Sequence, residues 1–295
     1  DGNNKKLRQA IAECIQSLLT DYEINAKSVE FVVASGMITS NLGLLEVPHV
    51  TAPAGLDDLA AKMQKTLIPE IFTGNFYFVP GIKNLSGKIP VDQLETMDMM
   101  RGEETEAIAV IQEFQKGDPF LIIFPGSHTK VVSIDQNGKI KGCMTTLAGE
   151  LLSAITNDTI LADSVGRQYV TAETYSPEMV LQGFEMARKF GVRRACFTGR
   201  VSALFAEYSH LDVANYILGV VLAEDIRAIK VSQALQITMN SSVLIVGSNP
   251  ISRGLADILQ YDGEFGEIKT IGEPRQGSYA SIGAHLLAER LGLLG

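Results

Sequence analysis

Residues 119–146 read PFLIIFPGSHTKVVSIDQNGKIKGCMTT, and the reading of this stretch decides the fold. It holds three β-rich runs, Phe120 to Phe124, Lys130 to Asp135 and Lys139 to Met144. Gln136-Asn137-Gly138 joins the second run to the third, and an Asn-Gly pair is a strong hairpin signal because both residues accept positive φ. Upstream, Arg101 to Gln115 has the pattern of a helix, stopped by Gly117-Asp118-Pro119. A β-hairpin restarting the chain after a helix marks a lobe boundary, with an N-terminal lobe over residues 1–118 and a C-terminal lobe over 119–295.

Working outward from this boundary, both sides alternate helix and strand. Leu7, Ile11, Ile15, Leu18 and Leu19 recur at helical spacing, with Asn3 or Asn4 placed to cap. VEFVVAS (29–35) is a continuous apolar run ending at Gly36, the signature of a buried strand. Leu56 to Thr66 predicts a helix, Asn75 to Pro80 a strand, and Gly81 to Asp98 a loop. Beyond the hairpin, helices are predicted over Leu147 to Asn157, Pro177 to Phe190 and Leu211 to Lys230. SVLIVGSNP (242–250) is a buried strand entering a Gly-Ser-Asn turn and a helix; Gly266 to Ile271 is a last strand before a final helix, Ser278 to Leu291. The class is mixed α/β, and each half holds an apolar strand leading into a glycine turn, which suits a duplicated two-lobed architecture.

Composition narrows the function. Of 295 residues, 46% are hydrophobic and 20% charged, a globular balance able to bury a sizeable core. A formal net charge of −9 argues against general binding to nucleic acid or anionic membranes, which needs a basic face. No apolar run has bilayer-spanning length and no signal peptide opens the chain. Cys14, Cys143 and Cys196 are few and widely spaced, so neither a disulfide framework nor a zinc site is expected, and a cytoplasmic setting fits. His49, His210 and His285 lack partners at metal-ligand spacing and read as structural or surface residues.

Four segments could carry chemistry. In FPGSHTK (124–130) Gly126 lets backbone N–H groups approach a phosphate, Ser127, His128 and Thr129 add donors, and Lys130 adds charge; an ordinary polar hairpin turn is the alternative. The spacing is not that of a Walker motif. In MRGEETEA (100–107) one carboxylate could serve as general base and another could hold a metal through water. Equally, Glu103 and Glu104 could be first-turn residues favoured by the helix dipole, with Arg101 a surface ion partner. Thr39, Ser40 and Asn41 of VASGMITSNLG (33–43) could bind a polyol or carboxylate, or simply form a turn. Gly247, Ser248 and Asn249 stand between a strand and a helix, where backbone approach often holds part of a nucleotide.

In order and spacing, MRGEETEA, FPGSHTKVVSID and TTLAGELLSAI resemble the hallmark segments of the 2-dehydro-3-deoxygalactonokinases. GMITSNLG with VPHVTAPAG is similar to that family's substrate-side loop, and LIVGSNPISR to its nucleotide-side turn. The likeness runs over nearly the whole chain. It implies a two-lobed actin-like ATPase (ribonuclease H-like) fold with a cleft between lobes. It also implies a cytoplasmic enzyme that phosphorylates the terminal hydroxyl of 2-dehydro-3-deoxy-D-galactonate with ATP and Mg²⁺, with a homodimer possible. On this resemblance Glu103 is the catalytic base. From the residues alone, beside it, Arg101 is expected to pair with the substrate carboxylate or a phosphate, and Glu104 to hold the metal through water. Gly126, Ser127, His128, Thr129 and Lys130 match the phosphate hairpin, Gly247, Ser248 and Asn249 the nucleotide side, and Gly36, Thr39, Ser40, Asn41 and Arg101 the sugar-acid side. The family's first Asp-x-Gly-Ser/Thr hairpin has no counterpart here and is expected upstream of Asp1; without it, a weak kinase or none is expected. A non-catalytic binder of sugar acid and nucleotide on the same fold, and a kinase for a different sugar acid, are the alternatives.

Overall fold

The computed structural model describes residues 5–237 and 240–294, so the expected cap at Asn3 or Asn4 lies outside the described residues. The helices are α1 (Lys5–Asp21), α2 (Leu56–Ala60), α3 (Glu103–Phe114), α4 (Ala148–Asp158), α5 (Pro177–Phe190), α6 (Val192–Phe205), α7 (His210–Val231), α8 (Pro250–Asp262) and α9 (Tyr279–Arg290). The strands are β1 (Phe31–Ala34), β2 (Val50–Thr51), β3 (Gln64–Ile68), β4 (Phe72–Phe78), β5 (Ile82–Lys83) and β6 (Met99–Met100). They continue with β7 (Phe120–Phe124), β8 (Thr129–Ile134), β9 (Ile140–Thr146), β10 (Ser242–Val246) and β11 (Ile268–Ile271). None of the described helices is long and apolar enough to cross a membrane.

Contacts divide the chain into two compact units. The first holds the chain up to Gly117, Gln136–Gly142, and everything from Pro274; the second holds Asp118–Asp135 and Cys143–Glu273. The second unit thus opens at Asp118, but the β8–β9 loop and α9 group with the first unit, which a single division at 118/119 does not contain. Two local reasons account for this. Ala54 and Ile140 exchange backbone hydrogen bonds of 3.0 and 2.8 Å, and α9 packs along α3.

In the first unit, β1 runs parallel to β4, with Ala34 opposite Phe78, and β3 pairs antiparallel on the other side of β4. Phe72, Phe76 and Phe78 alternate with half-exposed residues along β4 and form a core with Ala34, Val47, Ile68 and Ile71, onto which Ile11 and Ile15 of α1 pack. Leu56 to Thr66, expected as one helix, is a single helical turn followed by β3. The physical reason is pairing: Gln64–Ile68 alternates half-buried and exposed side chains up to the buried Ile68 and finds the aromatic β4 as partner, which outweighs a local helical pattern. A second small sheet, ordered β2-β5-β6, ends at Met100, immediately before the RGEE segment.

In the second unit five strands order as β11-β10-β7-β8-β9. β10 is parallel to both β7 and β11, whereas β7 and β8 form the antiparallel hairpin, with Phe124 opposite Lys130. Leu121, Ile123, Val131, Met144, Val243 and Ile245 pack with α5, α7 and α8 into one core. Residues 135–139 form the β8–β9 connection, in which Gly138 takes φ +73° and Asn137 does not take a positive φ, so the hairpin closes through a longer loop with one left-handed glycine rather than a two-residue Asn-Gly turn. Helix α6 was not evident in the sequence because only Ala195 and Gly199 of its 14 residues are buried, too few to write an apolar stripe.

Candidate functional site

In the first unit the polar turn after β1 and the start of α3 meet as one cluster. Gly36–Thr39 forms a single 3₁₀ turn, and Gly102, the residue before α3, lies against it. Gly102 adopts φ +126°, and a Cβ there would stand 3.3 Å from the Gly36 Cα, so any other residue would be both strained and crowded. Arg101 binds the two segments together. Its Nη1 donates to Thr39 O and Thr39 Oγ1, each at 2.7 Å, and its Nη2 donates to Val47 O at 2.9 Å. Thr39, fully buried, in turn donates its hydroxyl to Gly36 O at 3.0 Å. Arg101 therefore works as an internal brace, with both terminal nitrogens engaged by the chain itself.

His49 completes this brace, although no local pattern around it singles it out. Arg101 Nη2 lies 3.1 Å from His49 Nδ1 and 3.2 Å from Nε2. Near-equal distances to both ring nitrogens put the guanidinium over the imidazole face rather than in a single in-plane hydrogen bond, a contact a planar guanidinium favours. Burial first, then the charges of Arg101 and Lys83, lower the His49 pKa to about 4, so the ring is neutral at physiological pH. The 52 residues between His49 and Arg101 hide the pairing from any local motif.

The two glutamates at the start of α3 diverge. Glu104 is fully buried, and both its carboxylate oxygens accept the Gly102 N–H, at 2.9 and 2.7 Å. Burial pushes its carboxyl up to about 7, against the Gly102 N–H, which favours the charged form. Glu103 is half-buried; its Oε2 accepts the Arg101 N–H at 3.2 Å, and its Oε1 has no hydrogen bond to a described residue. Of the two, Glu103 is the carboxylate with an oxygen to offer. In the preceding loop Ser40 is buried and bonds Met37 O at 2.7 Å, while Asn41 is exposed.

In the second unit the β7–β8 turn presents Ser127 and His128 to solvent but turns Thr129 and Lys130 inward. Lys130 Nζ bonds Thr145 Oγ1 on the neighbouring strand. The start of α4 supports the turn from below. Gly149 approaches so closely that a Cβ would lie 2.4 Å from Gly126 O, and the Glu150 N–H donates to Ser127 O at 3.1 Å. Glu150 also reaches His128 Nε2 at 2.8 Å.

The Gly247-Ser248-Asn249 turn lies in the same unit. Gly247 takes φ +96°, and the Asn249 side chain caps α8 by accepting the Ser252 N–H at 2.9 Å. Asn249 also borders a cavity of about 280 Å³, lined by Gly149, Leu152, Tyr169, Val170, Ile217 and Leu218 among others. The cavity is mostly apolar with a few polar groups, and its volume is near the roughly 300 Å³ at which ordinary small-ligand pockets begin. Gly149 links the two features, since it touches the hairpin turn and lines the cavity. Among the described residues no group of three or more His, Cys, Asp or Glu is placed to hold a metal ion.

Known proteins fit this picture. A probable 2-dehydro-3-deoxygalactonokinase of Rhizobium meliloti (strain 1021) is 28% identical over 134 residues, 45% of this chain and 40% of that one. The 2-dehydro-3-deoxygalactonokinase of Escherichia coli (strain K12) is 22% identical over 223 residues, 75% of this chain and 68% of that one. The match thus spans well under half the length of the first relative. A crystal structure of a candidate 2-dehydro-3-deoxygalactonokinase from Sinorhizobium meliloti superposes with a TM-score of 0.73 at 19% identity, covering 94% of this chain and 84% of that one, which shows a shared mixed α/β fold. The profile of the 2-keto-3-deoxy-galactonokinase family matches residues 2–268, and the chain belongs to that family.

Proposed function

We propose that the protein transfers the terminal phosphoryl group of ATP to the terminal hydroxyl of 2-dehydro-3-deoxy-D-galactonate, as a cytoplasmic kinase of the two-lobed actin-like class. Residues 1–118 supply the sugar-acid side and 119–295 the nucleotide side. The observation that carries this reading is the divergence of the two glutamates at the start of α3 in a chain whose family profile covers residues 2–268. Glu104 is dry and committed to Gly102, while Glu103 keeps Oε1 for a substrate proton.

Phosphoryl transfer asks the protein for positioning and charge stabilisation more than for covalent chemistry. Glu103 is the general base that takes the proton from the sugar-acid hydroxyl. The backbone around Gly126, with Ser127 and His128, holds the phosphates, and the cavity beside Asn249 takes the nucleoside. Gly36, Asn41 and the neutral His49 shape the sugar-acid side, with Thr39, Ser40 and Arg101 fixing that turn from inside. Mg²⁺ reaches such a site on the nucleotide phosphates, where it neutralises developing charge. Glu104 does not fit the ligand role, because burial and the Gly102 N–H occupy both its oxygens, so no step is assigned to a protein-bound metal.

The test is Glu103→Gln, assayed by ADP release with ATP and the keto-deoxy sugar acid. Loss of a general base lowers turnover by about 10²–10⁴-fold. A variant that keeps turnover within a few fold of the parent while the parent is active removes Glu103 from the base role.

A further inference from the structure

Three buried oxygen atoms at the root of the β7–β8 turn make no hydrogen bond among the described residues: Thr129 Oγ1, Thr146 Oγ1 and Asp225 Oδ2. Thr129 is fully buried, and Asp225, on α7, is 4% exposed. Native interiors pair nearly all such groups, so a place where three go unpaired together asks for a cause.

Strand geometry brings the three to one place. Side chains alternate along a strand, so Thr129 shares a face of β8 with Val131, and Thr146 shares a face of β9 with Met144. Val131 and Met144 both belong to the core packed by α7, so both hydroxyls face that helix. The side-chain bond between Lys130 and Thr145 puts these two residues on one face of neighbouring strands, so Thr129 and Thr146, each one residue along, lie near each other on the opposite face. Asp225 is near enough to Thr146 for the hydroxyl to favour its charged form, yet Oδ2 and Oγ1 do not meet at bonding geometry. Thr146 stands two residues before α4, whose Gly149 and Glu150 carry the turn.

We propose that Asp225, Thr146 and Thr129 form a buried polar anchor, bridged by one water molecule, that fixes the root of the 125–128 turn and makes Asp225 a positioning residue for phosphoryl transfer. A polar site with three inward oxygens supplies the two to four partners that a buried water needs. Asp225 touches no reacting atom; it acts by holding the two strand ends and the start of α4 in register with each other. The catalytic part of this inference rests on the kinase reading above, whereas the anchoring part does not.

The experiment separates the two. Asp225→Ala, Asp225→Asn and Thr146→Val are made in the complete protein. Amide hydrogen exchange at residues 126–129 and 149–151 is followed without ligand, and kcat and KM are measured with ATP and sugar acid. Asp225→Ala and Thr146→Val speed exchange at those amides and lower kcat roughly tenfold or more with KM for the sugar acid little changed, while Asp225→Asn stays within roughly threefold of the parent. Thr146→Val keeps the side-chain shape and decides the matter if Asp225→Ala does not fold. Unchanged exchange at the turn overturns the anchor. Faster exchange with unchanged kcat overturns the positioning role. A parent protein that transfers no phosphoryl group counts against the kinase reading, and the exchange arm still decides the anchor.

Discussion

Two glycine turns of this protein, at Gly102 and at Gly126, are held in opposite ways. At Arg101–Glu104 the polar groups face inward: the guanidinium spends both terminal nitrogens on Thr39, Val47 and His49, and Glu104 spends its carboxylate on the Gly102 backbone. At Gly126–His128 the side chains face outward, and the turn is held from beneath by the close approach of Gly149 and the Glu150 N–H. The contrast teaches that one turn is a rigid mount for a single carboxylate, Glu103, while the other is a surface of donors. Side-chain changes should therefore cost stability in the first turn and only ligand binding or turnover in the second.

The hardest test of this contrast is Arg101→Lys. An ammonium cannot reproduce the planar fork that reaches Thr39 O, Thr39 Oγ1 and Val47 O together, so buried acceptors lose partners. Leaving such groups unsatisfied costs about 2–4 kcal/mol, read as a lower midpoint in chemical denaturation. A variant as stable as the parent would mean that Arg101 is not a brace and is free to serve a ligand instead.

The same contrast explains what was legible in the sequence. The hairpin after residue 119 was readable because strand alternation and Asn-Gly chemistry are local, and α5 and α7 because their apolar stripes are long. The order of RGEE and PGSHTK was sufficient to suggest the family. The role of each side chain was not legible, because it depends on contacts across the chain. Arg101 reads locally as a ligand cation, yet its partners stand 52 to 62 residues away. Thr129 and Lys130 read as turn donors, but they point to opposite faces of β8 and both faces are covered, so both side chains are buried. Asp225 sits within a largely apolar helix, and the hydroxyl beside it, that of Thr146, belongs to a strand far away in the sequence.

A subtler comparison uses pH. The Glu104 carboxyl has its pKa raised by burial from an ordinary 4.5 to about 7 in the folded protein. Between these values the unfolded chain gives up its proton while the folded chain keeps it. Glu104 therefore makes the protein less stable as pH rises through that window and adds no further change above about 7. Gln at this position does not titrate. Relative to the parent, Glu104→Gln should gain stability on going from pH 5 to pH 8, measured by denaturation at each. An offset equal at both pH values would show that the carboxyl is not held protonated by burial.

The smallest expected effect comes from the other turn. His128 and Glu150 form a 2.8 Å pair whose side chains remain 52% and 58% exposed. Solvent screens such a pair and each long side chain gives up entropy to make it, so exposed pairs contribute little to folding. His128→Gln should leave the denaturation midpoint within error while raising KM for ATP a few fold, since the ring lies on the donor face of the proposed phosphate turn. If the midpoint instead falls as far as in Arg101→Lys, the turn is held by its side chains after all. The two regions would then be built alike, and the backbone contacts of Gly149 and Glu150 would be incidental to it.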